Sequence, residues 1–116
     1  YALTWPERCD SALPGLDLGK VGRLEFYRVD DRRYPLFALA KEALREGESS
    51  PVALNAANEA AVGAFLDEKI LFPDIPAVVA KVMEAHRARP ADSIEAIYNI
   101  DREARREARQ TFFRVN

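Results

Sequence analysis

Ala53-Leu54-Asn55-Ala56-Ala57-Asn58-Glu59-Ala60-Ala61-Val62-Gly63-Ala64-Phe65-Leu66 is the stretch that decides the fold. Placed on a helix at about 100° per residue, its apolar side chains point in every direction. A surface helix carries one apolar stripe, whereas a helix that is apolar all round is enclosed by other elements. The stretch therefore predicts a helix at the centre of a bundle. Three polar residues sit inside it. Asn55, Asn58 and Glu59 share one sector of the helical wheel with Val62 and Leu66, so that sector does not read as an ordinary solvent face. A buried amide or carboxylate left unpaired costs about 1–3 kcal/mol, which predicts partners for all three.

Helical signals continue on both sides. Pro35 suits a first helical position, and Leu36, Leu39, Ala40, Ala43 and Leu44 recur at steps of three and four before Gly47 provides a stop. Pro51 opens the enclosed helix, which is expected to run to about Lys69 and give way to the apolar turn Ile70-Leu71-Phe72. Asp74 is a candidate cap for a further helix with the stripe Ile75, Val78, Val79, Val82 and Met83, ended by Pro90. Asp92 with Glu95 resembles a capping box for the last helix. Its stripe reads Ile94, Ile97 and Tyr98, then Ala104, Ala108 and Phe112. Asp101 interrupts the stripe and predicts a break near residues 99–101, with Asp101 capping the final stretch. Arg109 and Arg114 suit the negative pole at its end.

The first third of the chain reads differently. Residues 1–5 suit a last helical turn ended by Pro6, and residues 9–23, with Pro14, Gly15, Gly19 and Gly22, suit a linker. Leu24-Glu25-Phe26-Tyr27-Arg28-Val29 reads as a strand closed by a turn at Asp30 and Asp31. The expected fold class is thus mainly α: an antiparallel four-helix-type bundle preceded by a linker with one short β-strand. A lone strand has no sheet, and its backbone groups need partners. Either two copies pair, or the strand joins a sheet outside these residues. The chain does not begin with Met and reads as opening inside something larger.

Composition narrows the function. At 48% hydrophobic and 31% charged residues, the 116-residue chain suits one soluble domain rather than disorder. A net charge of -2 without blocks of one sign gives no footprint for nucleic acid. No apolar run approaches the ~20 residues that span a bilayer, and the first residues lack the pattern of a signal peptide. One cysteine, Cys9, excludes an internal disulfide and makes a cytoplasmic setting the default.

No residue pattern carries chemistry. Cys9 and His86 are the only soft metal ligands and lie far apart, and the carboxylates are not grouped as a calcium loop requires. His86 reads as a helix-end histidine, because a lone histidine has no orienting partner for catalysis. Cys9 has no base near it in sequence. No nucleophile elbow and no glycine-rich phosphate loop is present. The cluster Arg102, Arg105, Arg106 and Arg109 alternates with Glu103 and Glu107 and reads as a solvated face with local ion pairs. Trp5, beside Pro6, Glu7 and Arg8, reads as packing on a neighbouring domain rather than as a ligand contact. Asn55, Asn58 and Glu59, spaced i, i+3 and i+4, form one patch. It reads as structural, bonding to the linker or an adjoining domain. The expected site residues are thus structural or interdomain (Trp5, Asn55, Asn58, Glu59), with no catalytic, cofactor-binding or metal residue in this segment.

An ordered series of short motifs carries a resemblance. Trp5-Pro6-Glu7-Arg8, Leu16-Asp17-Leu18, Leu24-Glu25-Phe26, Arg33-Tyr34-Pro35, Leu54-Asn55-Ala56-Ala57-Asn58-Glu59, Ala64-Phe65-Leu66, Phe72-x-Asp74-Ile75 and Asp101-x-x-Ala104-Arg105 follow one another along the chain. Together they resemble the C-terminal part of the 1-deoxy-D-xylulose 5-phosphate reductoisomerases, over essentially all 116 residues. The Leu54–Glu59 run is the specific part.

The resemblance implies a parent enzyme in three parts: an NADPH-binding domain, a central domain that holds substrate and Mg or Mn and contributes to a homodimer, and a C-terminal helical bundle. The implied reaction is isomerisation followed by NADPH-dependent reduction to 2-C-methyl-D-erythritol 4-phosphate, in the non-mevalonate route to isoprenoids. It also implies that residues 1–8 end the central catalytic domain, 9–34 form the linker with its strand near 24–29, and 35–116 form the bundle. The strand would then add to the central domain's sheet. The implied partners are the upstream domains of the same protein, with no nucleic acid and no membrane. The alternative expectation is a free-standing helical interaction module without catalysis, separable by the intact mass of the natural protein.

Overall fold

The computed structural model describes residues 2–10 and 12–112. Tyr1 and Arg114, given places in a helix above, lie outside the described residues. Five helices follow one another: α1 (Leu18–Val21), α2 (Pro35–Glu46), α3 (Ser50–Leu66), α4 (Asp74–Ala85) and α5 (Ile94–Thr111). The long ones build the expected bundle, in which α3 packs against α2, α4 and α5.

Direction follows from pairs along the helices. The α4 end at His86 meets Ser49 at the start of α3, so α3 and α4 are antiparallel. Val52 and Ile97 share a cleft near the starts of α3 and α5, and Glu59 meets Arg105 further along both. These two helices therefore run the same way, and each is antiparallel to the α4 between them in sequence.

The core is built from small residues. Ala53, Ala56, Ala57, Ala61 and Ala64 of α3 are buried, as are Ala104 and Ala108 of α5. Short side chains let helix axes approach closely, so contact area comes from backbone proximity rather than from long side chains. Ile75, Val78, Val79 and Val82 of α4 fill the remaining space, with Leu36, Leu39 and Met83 packed against them.

Several local expectations give way to better-placed partners. Residues 24–29 do not form a strand: they have no regular secondary structure, and no strand exists among the described residues to pair with them. Leu24, Phe26, Tyr27 and Val29 are exposed, Phe26 to 88%. The linker also contains α1, which Asp17 caps by accepting from the Gly19 and Lys20 amides. Residues 2–6 form turns rather than the end of a helix. Residues 31–33 form the expected turn, with the Asp30 carbonyl accepting from the Tyr34 amide and Asp31 paired to Lys41 of α2.

Helix ends differ as well. α3 stops at Leu66 instead of Lys69. Glu68 turns left-handed there, at φ 59°, and the amides of Glu68 and Lys69 bond to the carbonyls of Phe65 and Ala64. This is a Schellman closure with glutamate where glycine is usual. Asp74 lies inside the first turn of α4, its carboxylate accepting from the Leu71 amide, so it ties the preceding loop rather than capping. Ser93, not Asp92, caps α5 by accepting from the Ala96 amide.

The expected break at residues 99–101 does not occur, because α5 is continuous. Asp101 bonds Arg105 one turn on and needs no cap role. Ile100, Ala104, Ala108 and Thr111 form the buried stripe of α5, in steps of four and three. Ile94, Ile97 and Tyr98 face outward instead.

Candidate functional site

The polar sector of α3 divides into two arrangements. In the first, the Asn55 amide donates to Glu59 at 3.2 Å. The other Glu59 oxygen accepts from Arg105 of α5 at 2.5 Å, and Arg105 Nε donates to Asp101 at 2.8 Å. One guanidinium thus bridges two carboxylates on two helices. Its planar fork of donors suits this task, which a lysine ammonium performs less well. Hydrogen bonds from Arg105 and Asn55 hold the Glu59 carboxyl below its ordinary range, while Asp101 and Glu59 push the Arg105 guanidinium up.

The second arrangement surrounds Asn58, which is half-buried and whose side chain makes no hydrogen bond to another side chain or to the backbone among the described residues. It lines a cleft of about 510 Å³ together with Arg32, Leu36, Val62, Phe72 and Ile75. Phe72 packs edge-on against Phe65, with ring centroids 5.6 Å apart. The expectation that α3 is enclosed on every side is therefore corrected here. Val62 and Leu66 are 37% and 73% exposed on the same sector. Trp5 lines neither cleft and is 71% exposed in the N-terminal segment.

A third cluster closes the opposite end of the bundle and had no signal in the sequence. Ser49 is fully buried between α2 and α3. Its amide donates to the Arg89 carbonyl at 3.1 Å, and its Oγ accepts from the Arg89 amide at 3.0 Å. The same Oγ lies 2.8 Å from His86 Nε2. Burial and the nearby Arg89 lower the His86 pKa. Arg89 itself pairs with Glu103 of α5. His86, read from sequence as a helix-end residue, is the C-cap of α4.

These groups fasten helices to one another. No group of three or more His, Cys, Asp or Glu side chains that could hold a metal ion occurs among the described residues. Cys9 is exposed. Arg102 and Arg105 of α5 face amide and carboxylate oxygens, as the local ion-pair reading of this cluster expects. No helix among the described residues is long and apolar enough to cross a membrane.

Residues 1–107 match the family described as the DXP reductoisomerase C-terminal domain. The chain belongs to that family. Two relatives of this reductoisomerase domain are the 1-deoxy-D-xylulose 5-phosphate reductoisomerases of Prosthecochloris aestuarii and Ectopseudomonas mendocina. They are 50% and 47% identical over 93% and 90% of the chain. Among solved structures, the Zymomonas mobilis reductoisomerase in complex with NADPH superposes with a TM-score of 0.82 at 38% identity, covering 95% of this chain and 29% of that one. A DOX-P reductoisomerase in complex with magnesium gives 0.75 at 33% identity, covering 98% and 31%. The chain spans about 28% of the length of the first of these relatives. The reductoisomerase domain seen here is thus the C-terminal helical part of a longer kind of protein.

Proposed function

We propose that this chain serves as the C-terminal helical domain of a 1-deoxy-D-xylulose 5-phosphate reductoisomerase, and that its work there is architectural. The observation that carries this reading is the match over 93% of the chain to only 28% of a named reductoisomerase. A bundle without an assembled catalytic cluster supports it. The parent enzyme would convert its substrate to 2-C-methyl-D-erythritol 4-phosphate by isomerisation and NADPH-dependent reduction, in the non-mevalonate route to isoprenoids. NADPH and Mg or Mn belong, on this reading, to the upstream domains. The setting is cytoplasmic and the parent a homodimer.

Within that protein, residues 1–8 end the central domain, 9–34 link, and 35–116 form the bundle. Residues 24–29, rich in aromatic and aliphatic side chains and without backbone ladder partners among the described residues, suit addition to a sheet edge in the central domain. Trp5, Asn55, Asn58 and Glu59 serve structure and domain contact rather than chemistry. Bracing of this kind holds catalytic groups elsewhere within the narrow geometry they need.

NADPH oxidation in the presence of substrate and magnesium tests the proposal. The full-length protein should turn over and the 116-residue segment should not. Turnover by the segment alone, or none by the full-length protein, would overturn it.

A further inference from the structure

The sequence makes α3 apolar all round, yet α2, α4 and α5 leave open the sector with Asn58, Val62 and Leu66. The cleft beside that sector combines an apolar floor with polar groups that have no hydrogen-bond or ion-pair partner for their side chains among the described residues. Leu36, Val62, Phe72 and Ile75 line it, and Asn58 offers a donor and an acceptor, neither of them used among the described residues. Arg32 and Arg33 stand at its rim. The Arg33 guanidinium lies over the Tyr34 ring, and no ion pair to a carboxylate occupies either arginine among the described residues.

We infer that this cleft seats the preceding domain of the same polypeptide, which inserts an apolar side chain between Leu36, Val62 and Phe72 and brings a carboxylate to Arg32 and Arg33. Three observations select that occupant. The chain spans 28% of a relative's length, so proteins of this kind carry a large further part. The linker joins the bundle at the cleft itself: Arg32, Arg33 and Pro35 are at once the junction and the lining. A chain arriving through residues 9–34 therefore enters the bundle beside this cleft. Charge and shape complete the argument, since two cations and a half-buried amide without a protein partner, set around an apolar floor, match a surface with an acidic rim and an apolar knob. The inference rests on the architectural reading above and adds the face through which it operates.

Alkylation of single introduced cysteines in the full-length protein tests it, with iodoacetamide as the probe and each site read by peptide mass spectrometry. Val62→Cys reports the cleft, Leu44→Cys a distant exposed position on α2, and Tyr98→Cys the exposed face of α5. All three positions are exposed in the bundle, so the substitutions leave its core alone. Val62→Cys should react at least about tenfold more slowly than Leu44→Cys, the ratio for a site open a tenth of the time. Adding Arg32→Glu and Arg33→Glu should bring the Val62→Cys rate up to that of Leu44→Cys. Protection of Tyr98→Cys with a fast Val62→Cys would overturn the inference and leave the bracing reading standing, since another face would then dock. Fast reaction at all three positions would overturn both. Protection of Val62→Cys that disappears on dilution would identify a second copy as the occupant and also overturn the inference.

Discussion

Ser49 is the residue on which the closed end of the bundle turns. Its Oγ accepts one amide hydrogen from Arg89 and has one proton of its own to place. With the side chain fully buried, His86 Nε2 at 2.8 Å is the acceptor available. Donation from Ser49 to Nε2 requires the neutral His86 tautomer with its proton on Nδ1. Ser49→Ala removes both bonds and leaves the Arg89 amide unmatched, so urea unfolding should show a loss of about 1–3 kcal/mol. An unchanged midpoint would mean that the contact contributes nothing. Protonation of His86 opposes the same arrangement, and its folded pKa lies below the ordinary 6.5. The unfolded chain then binds more protons than the folded one as pH falls below 6.5, so stability is complete above that value and declines toward the lowered folded pKa. His86 is the single histidine. Denaturation midpoints of wild type and His86→Gln, compared across this window, should show the slope in the wild type and its absence in the variant. Glu59 acts in a separate window: its pKa is lowered from 4.5, so its contribution is complete above 4.5 and lost in stronger acid. Among these contacts Asp101–Arg105 and Asn55–Glu59 were open to reading from the sequence, each as an i, i+4 pair. Ser49–His86 and Glu59–Arg105 join residues 37 and 46 positions apart, and nothing in local spacing points to either.

Helices were legible where apolar spacing is dense and less so at their ends. α2 and the stripe of α4 follow from Pro35, Gly47 and the run Ile75, Val78, Val79 and Val82, because burial and local preference agree there. The end of α3 was hidden because the chain closes it with Glu68, whose positive φ a glycine would take without strain. Glu68→Gly should therefore stabilise the protein by about 1 kcal/mol; a lower melting temperature would show that the glutamate has a compensating contact. α5 was misread at residues 94–101 because Ile94, Ile97 and Tyr98 are apolar without being buried. Hydrophobicity marks a residue that can be covered, and not what covers it. The stretch 24–29 shows the same limit, since strand preference was readable in it and a pairing partner was not.

At the scale of the molecule, an exposed linker precedes a bundle gathered round α3. Brief trypsin treatment of the 116-residue chain should cut first at Lys20, Arg23 and Arg28, leaving residues 35–112 whole. Early cuts within α3 or α4 would show that the bundle is not the stable unit. Family membership was readable from the ordered motifs, whereas the open sector of α3 was not, because apolarity on every side looks the same whether or not all sides are covered. The two ends of the bundle also differ. Ser49, His86 and Arg89 fasten the start of α3 to the end of α4 at one end, while the linker enters at the other beside Asn58 and Phe72. A bundle stapled at one end frays from the other. Amide protons near Ser49 should exchange last and those around Phe72 first, so the half of the molecule that yields most easily is the half that a neighbour would touch.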